Sequence, residues 1–424
     1  SLDPALLIQQ SGADPMRVKA AVQLLRNKKK IIACWAMGLT QHRNAVDTIK
    51  EIVNLLLLKG SIGKEGAGTC PVRGHSNVQG DRTMGIYERP SSAFLEAMEQ
   101  NFLFKPPREP GYDVVESIKA MYAGKAHVFI AMGGNFLSAT PDTQFTAAAL
   151  QKCDLTVHVS TKLNRSHLIP GKEAMILPCL ARSDRDMTGG KEQIVSCENS
   201  MGVVQASKGV LKPVSDKLLS EPLIVSRLAQ ATLGKRSRVD WANYAGSYDA
   251  IRYDIERTIP GFGDYNQRIR QPGGFYLPNC NRDGKFHTDS GRAHFNIARY
   301  NETTLKPGEL VMMTIRSHDQ FNTTIYGLDD RYRGIYNERR VVFMNEADIS
   351  ERQLKEGELV DLYNKDDNVE RVAKRFITVS YPILKGCCAT YFPEANVLVP
   401  IGSVAEKSNT PVSKAVVIRV EKAF

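Results

Sequence analysis

Four short, near-continuous apolar runs at residues 31–36, 127–132, 155–159 and 174–177 constrain this chain most. Each is too short for a buried helix and lacks the polar–apolar alternation of a half-exposed strand. Strands of a parallel sheet read this way, because helices cover both faces. Segments of helical period stand between the runs. Residues 15–27 place Val18, Ala21, Val22, Leu24 and Leu25 on one stripe. A second helix carries Ala45, Ile49, Ile52, Val53 and Leu56 and stops at Gly60, after a loop over 37–43. The run 127–132 leads into Gly133 and Gly134 and then a helix over about 140–151. Strand, glycine-containing loop and helix make the α/β unit, so an α/β region with parallel sheets is expected to about residue 200.

The character then changes. Helix-like segments at 223–233 and 241–255 precede the turn-rich stretch 271–278, which together read as a connector. From about residue 285 strand-like segments recur at 310–316, 340–344, 358–363, 373–379, 387–391 and 414–420, a spacing that suggests a barrel. The expected organisation is the end of one α/β domain at 1–80, a partial α/β domain at 81–204, a connector at 205–285 and a barrel at 286–424.

Composition narrows the function classes. The 424 residues are 42% hydrophobic and 24% charged, values of a globular chain that exclude a disordered, collagen-like or disulfide-scaffold protein. The longest apolar runs, 31–38 and 55–58, fall far short of the roughly 20 residues that span a bilayer, so no membrane span is expected. No basic-then-apolar leader is present, and the start Ser-Leu-Asp-Pro without Met gives the expectation of a fragment of a longer subunit. The net charge of +10 favours an anionic partner. Its densest cluster, Arg26, Lys28, Lys29 and Lys30, has no interleaved aromatic residue, which points to a solvated helix end and away from nucleic acid. The eight cysteines (34, 70, 153, 179, 197, 280, 387 and 388) form no C-x-x-C pair, which excludes a zinc ribbon or ferredoxin-type cluster and fits a reducing cytoplasm. Cys387 and Cys388 read as small buried apolar residues.

The strongest local signal is residues 60–82, which pack six glycines among Arg73, His75, Asn77, Gln79, Asp81 and Arg82. Glycine lets backbone approach a ligand and presents N–H groups to anionic oxygens, and the polar side chains add specific hydrogen bonds. The alternatives are ligand contact and a long surface loop. Neither a P-loop nor a dinucleotide fingerprint fits, because G-x-x-x-x-G-K-[ST] is absent and Gly63 to Gly68 do not follow a strand.

Several segments carry a resemblance. Residues 35–42 (Trp-Ala-Met-Gly-Leu-Thr-Gln-His) are followed by the helix, by Gly-Ser-Ile-Gly-Lys-Glu-Gly-Ala-Gly and by Pro71-Val-Arg-Gly-His-Ser-Asn-Val-Gln-Gly80. Later come Thr288-Asp-Ser-Gly-Arg-Ala-His-Phe295, Arg316-Ser-His-Asp-Gln-Phe-Asn-Thr-Thr324, Met344-Asn-Glu-Ala-Asp348, and Asn396 with Ser408-Asn-Thr-Pro-Val-Ser-Lys414. In this order they resemble the molybdopterin oxidoreductases, which include formate dehydrogenase and periplasmic nitrate reductase alpha subunits. The wording of residues 161–167, 272–276 and 315–330 is most similar to the formate-dehydrogenase-like branch linked to bacterial acid resistance. The resemblance implies Rossmann-like segments followed by a C-terminal double-psi β-barrel, and a cofactor of molybdenum bis(molybdopterin guanine dinucleotide), in which the excess positive charge meets pyrophosphates. It implies two-electron oxidation of formate, with nitrate or another oxyanion as the alternative substrate and a non-catalytic molybdopterin-binding accessory protein as the alternative class. An electron-transfer subunit is a further implied partner.

The resemblance also assigns residues. Arg73 takes the position that orients the substrate anion, and a guanidinium suits a planar carboxylate. His75 stands where formate dehydrogenases often carry Gln, and it reads either as catalytic or, like His42, as a hydrogen-bonded loop histidine. Met37 and Gln41 would contact a pterin or the space near molybdenum, Gly74, Asn77 and Gln79 would bind the cofactor, and Asn164 and Arg165 would bind guanine or ribose groups. Arg316, Ser317, Gln320, Asn322, Thr323 and Thr324 would bind phosphate and pterin oxygens, and Asn396, Asn409 and Lys414 would close over the cofactor. No metal ligand is assigned: the family's 4Fe-4S cysteines and molybdenum ligand are expected ahead of residue 1, and these residues alone are expected to be inactive.

Overall fold

The computed structural model describes residues 3–72, 75, 77–299, 303–323 and 325–423. The chain divides into two compact units, one of residues 1–72, 279–316 and 335–424, the other of residues 73–278 and 317–334. The sequence suggested four successive segments; the chain instead leaves the first unit and returns to it twice.

The first unit contains a closed barrel of six strands in the order Val341–Met344, Arg371–Ser380, Leu359–Asn364, Val416–Lys422, Glu309–Ile315 and Cys387–Tyr391. Val341–Met344 with Arg371–Ser380 and Glu309–Ile315 with Cys387–Tyr391 pair in parallel; the other neighbours are antiparallel. Closure follows from alternation. In Glu309–Ile315, Leu310, Met312 and Thr314 are fully buried, and Leu310 and Met312 join Val342, Met344, Val360, Leu362, Phe376 and Ile418 in one core. Each such apolar side chain stabilises the fold by about 1.5–3 kcal/mol. Cys388 belongs to this core, as expected of a small apolar residue, whereas Cys387 is only half-buried.

The same unit holds a parallel strand pair, Ile32–Trp35 and Gly68–Pro71, joined through helices Met37–Thr40 and Ala45–Leu58. Asn54 of the longer helix mimics backbone, donating to the Asn296 carbonyl at 2.6 Å and accepting the Asn296 N–H at 3.2 Å. Gly63 is required by its surroundings: its φ is +71°, and a Cβ there would lie 2.6 Å from the Gly284 Cα. The glycine-rich stretch is therefore not one long loop, since it contains the strand Gly68–Pro71 and opens the helix Val78–Thr83. Helix Pro15–Arg26 starts as its sequence dictates, with Asp14 capping Met16 N–H and Pro15 in the first turn. Its apolar stripe is not buried, however, and Val22 and Leu24 are 59% and 65% exposed. Arg26, which ends the helix, and Lys28, Lys29 and Lys30 after it are all exposed, as the sequence suggests.

In the second unit, strands Val128–Met132, Leu155–Ser160 and Glu173–Pro178 form a parallel sheet in that order. Helix Val114–Tyr122, capped by Asp113, packs against helix Thr143–Gln151. A second, antiparallel sheet joins Val195–Glu198, Val203–Ser207 and Phe275–Tyr276. The expected connector over 205–285 is largely part of this unit's core, because Phe262, Tyr265, Ile269 and Phe275 pack on Val204. The single helix expected over 241–255 is two, Trp241–Gly246 and Tyr248–Thr258, broken where Ser247 is extended at φ −155°.

Candidate functional site

In the first unit the site grows from the ends of barrel strands. The strand Glu309–Ile315 delivers Thr314 and then Arg316, whose guanidinium carbon lies 3.5 Å from the Phe392 ring centroid. Lys414, just ahead of the last barrel strand, donates to the Thr314 carbonyl and, at 3.4 Å, to the Thr314 Oγ1. Burial and the neighbouring Arg316 charge bring Lys414 down to about 8, and burial and Arg339 bring Arg316 down to about 10. Two half-buried cations thus destabilise one another, a condition that a bound anion relieves. Arg339 is spoken for: its Nε donates to Glu394 Oε1 at 2.7 Å and its Nη2 to the Phe392 carbonyl at 2.9 Å.

The segment after strand Ile32–Trp35 is stitched to this cluster. The Lys414 N–H donates to the Gln41 carbonyl at 3.2 Å, and the Glu406 N–H to the Arg43 carbonyl at 2.8 Å. Gln41 Nε2 reaches the Met37 sulfur at 4.0 Å, so the two predicted pterin contacts touch each other. His42 Nε2 donates to the Gly38 carbonyl at 2.9 Å, the hydrogen-bonded loop role; burial lowers its pKa, with the Lys414 charge acting in the same direction. Asn396 is buried at the short helix Asn396–Leu398, and Asn409 takes a left-handed conformation at φ 51° with its N–H on the Ala405 carbonyl.

In the second unit, Asn164 caps the turn Arg165–Leu168 and donates from Nδ2 to the Gly134 carbonyl at 2.8 Å, while Arg165 is exposed. Ser166 links the turn to Asn135, donating to its Oδ1 at 3.1 Å, and Asn135 Nδ2 reaches the Thr323 carbonyl at 3.4 Å. The predicted segment from 317 is held by Gln320: its Oε1 accepts from the Ser317 N–H at 3.0 Å and its Nε2 donates to the Asn322 carbonyl at 2.7 Å. Asn322 is left-handed at φ 47°. The Thr323 hydroxyl is buried without a hydrogen-bond partner among the described residues. Asn77, left-handed at φ 66°, spends its Oδ1 on the Glu198 N–H at 3.0 Å. Gln79 lies in helix Val78–Thr83, its carbonyl accepting from Thr83 Oγ1 at 3.1 Å, and His75 is exposed. Arg73, Gly74 and Thr324 lie outside the described residues.

Sequence reasoning misses the Arg339–Glu394 pair, Thr314, Asn135 and Ser166. It also misses His158 and His167, whose rings lie 4.7 Å apart and whose Nε2 atoms are buried without partners among the described residues. Asn135 carries a local signal, the Gly-Gly-Asn that follows a strand, and Ser166 and His167 lie in the stretch 161–167 that the resemblance already marks. No group of three or more His, Cys, Asp or Glu among the described residues is placed to hold a metal ion. No helix among them is long and apolar enough to cross a membrane.

Two parts of the chain match known protein families. Residues 16–168 match the family model described as "Molybdopterin oxidoreductase", and residues 310–417 that described as "Molydopterin dinucleotide binding domain". The chain belongs to the molybdopterin oxidoreductase family. Its cofactor is accordingly molybdenum bis(molybdopterin guanine dinucleotide). The chain is similar to an uncharacterized oxidoreductase of Mycobacterium tuberculosis (strain H37Rv), 50% identical over 421 residues that are 98% of this chain and 54% of the relative. It is also similar to the F420-dependent formate dehydrogenase subunit alpha of Methanocaldococcus jannaschii, 24% identical over 97% of this chain and 61% of that protein. Acetylene hydratase from Pelobacter acetylenicus shares the fold at a TM-score of 0.60 and 14% identity, over 97% of this chain and 63% of that one. The chain thus spans little more than half the length of the M. tuberculosis relative.

The residues suit the cofactor. A pyrophosphate requires cations and hydrogen-bond donors. Within the first unit, half-buried Arg316 and Lys414 meet this need; within the second, taken by itself, the Thr323 hydroxyl is a donor without a partner among the described residues.

Proposed function

We propose that this chain supplies cofactor-binding loops and the substrate arginine of a formate-dehydrogenase-like enzyme that oxidises formate by two electrons to carbon dioxide. The observation that carries the reading is the half-buried Arg316 and Lys414 of the dinucleotide-binding domain, tied through the Lys414 N–H to the segment of Met37 and Gln41. Formate is supported by the M. jannaschii relative and by the Arg73-Gly-His-Ser-Asn motif.

When bound, the molybdenum centre supplies the two-electron acceptor. The chain's own residues do the rest. Arg316 and Lys414 hold phosphate oxygens, and the Thr323 hydroxyl is a donor for the same class of ligand, on a segment that Gln320 holds through the Ser317 N–H and the Asn322 carbonyl. Arg73 pairs its guanidinium with the carboxylate of formate and fixes its orientation. Asn77, anchored on Glu198, sets where the segment carrying Arg73 and His75 ends. A 4Fe-4S cluster outside these residues would carry the electrons on to a partner subunit, in a cytoplasmic enzyme of the acid-resistance-linked branch.

The test uses the full-length gene product made with molybdate. Molybdenum content is measured together with formate-dependent and nitrate-dependent dye reactions, and Arg73→Lys is compared with wild type. The expected result is molybdenum, formate-dependent reduction, and a fall in kcat/KM of at least about tenfold in the variant. Stoichiometric molybdenum with activity on nitrate alone, or with neither substrate, refutes the formate assignment.

A further inference from the structure

The strands Ile32–Trp35 and Gly68–Pro71 run in parallel with Cys34 directly opposite Cys70. Residues so paired project to the same face of a sheet, where burial and then the neighbouring Cys34 push the Cys70 thiol up. Paired strands lie about 4.8 Å apart, inside the roughly 4.4–6.8 Å of Cα separation that a disulfide accepts. Cys34 is exposed and Cys70 half-buried, so one sulfur is open to a reagent while the other waits beside it. The remaining cysteines lack this arrangement. Cys153, Cys179 and Cys388 are buried, and Cys387 and Cys388 are neighbours on one strand that face opposite sides.

The position of the pair gives it a consequence. Cys34 stands three residues before Met37, and Cys70 three residues before Arg73. We propose that Cys34 and Cys70 form a reversible dithiol–disulfide site at the root of the two segments that carry Met37 and Arg73. The bond chemistry does not depend on which substrate Arg73 meets. With a small disulfide such as glutathione disulfide as oxidant, the Cys34 thiolate attacks one of its sulfurs, forms a mixed disulfide and releases one glutathione thiolate. Cys70, having lost its proton to solvent, then attacks the Cys34 sulfur and expels the second glutathione. Two protein thiols are oxidised by two electrons, one disulfide becomes two glutathione thiols, and the released thiolates take up the two protons. Closing the bridge fixes the distance between the roots of both segments; reduction frees it.

Equilibrating the full chain in glutathione and glutathione disulfide buffers, alkylating the remaining thiols and mapping tryptic peptides by mass tests the proposal. Cleavage isolates Cys34 in residues 31–43 and Cys70 in residues 65–73, each without another cysteine. The expected result is a linked pair of these two peptides, lighter by two hydrogens, as the dominant cross-link, lost again in excess glutathione. In Cys70→Ser a stable glutathione adduct should accumulate on Cys34, and in Cys34→Ser Cys70 should react at least about tenfold more slowly. Wild-type protein that carries glutathione on Cys34 while Cys70 is still alkylated overturns the proposal, as do other cysteine pairings in equal yield. The wild-type map decides the matter even if a variant fails to fold.

Discussion

Lys414→Met removes a charge that the cofactor-free chain holds at a cost. The ammonium ordinarily titrates at 10.5, and burial together with Arg316 brings it to about 8. At about 1.36 kcal/mol per pH unit the difference amounts to about 3 kcal/mol, which solvent screening of a half-buried group reduces to about 1–2 kcal/mol. The depressed pKa fixes the sign. Between pH 8 and 10.5 the unfolded chain binds the proton that the folded chain has released, so wild-type stability rises with pH across that window. Below pH 8 the penalty is fully present. The variant lacks this dependence, and it also loses the bonds to Thr314, worth about 1 kcal/mol. Urea unfolding of both proteins without cofactor, at steps from pH 7 to 10.5, reads the effect as a difference between two curves. Wild type should gain about 1–2 kcal/mol on the variant across the window. The variant should also bind inorganic pyrophosphate about tenfold more weakly at pH 7, since a charged donor is gone. A difference between the curves that does not change with pH would refute the reasoning.

Glu394→Ala should destabilise the first unit by about 3–5 kcal/mol in the same assay, because it strands the Arg339 guanidinium, whose side chain is 4% exposed, without its carboxylate. At Asn77 two contributions separate: Asn77→Ala loses the bond to the Glu198 N–H and strains a φ of 66°, at about 1–3 kcal/mol, whereas Asn77→Gly relieves the strain and should cost about 1 kcal/mol less. Equal thermal shifts for the two variants would show that the left-handed backbone is not under strain.

The fold was legible where burial imposes a period. Cys387–Tyr391 has the bounds that the sequence predicts, and the other barrel strands differ by only one or two residues at either end, since each must present an apolar face to one closed core. Val195–Glu198 escaped notice because its sequence, Val-Ser-Cys-Glu, has neither a buried run nor a clean alternation, and Phe275–Tyr276, at the opposite edge of the same sheet, is only two residues long. The break at Ser247 left the helical period on both sides intact, so it was invisible to periodicity. At the site, individual cations and amides could be named from motifs, but pairings could not. Arg339 meets Glu394 across 55 positions, and Asn77 meets Glu198 across 121. Such distances are set by barrel closure and sheet order, which no local pattern encodes. Helix Pro15–Arg26 shows the converse: its stripe predicted the helix correctly, yet Val22 and Leu24 on that stripe are exposed.

The bonds that join the loop near residue 41 to the return near residue 414 bear on the order of assembly. Arg43 and Glu406 meet across 363 positions at 3.2 Å, alongside the Lys414 N–H on the Gln41 carbonyl. During synthesis, the Met37–Gln41 segment is made hundreds of residues before the segment around Lys414 that it bonds to. A ribosome-bound chain stopped short of residue 414 would hold the loop near residue 41 without the return that pairs with it, so the bond between the Lys414 N–H and the Gln41 carbonyl forms only after the segment leading into the last barrel strand has been made.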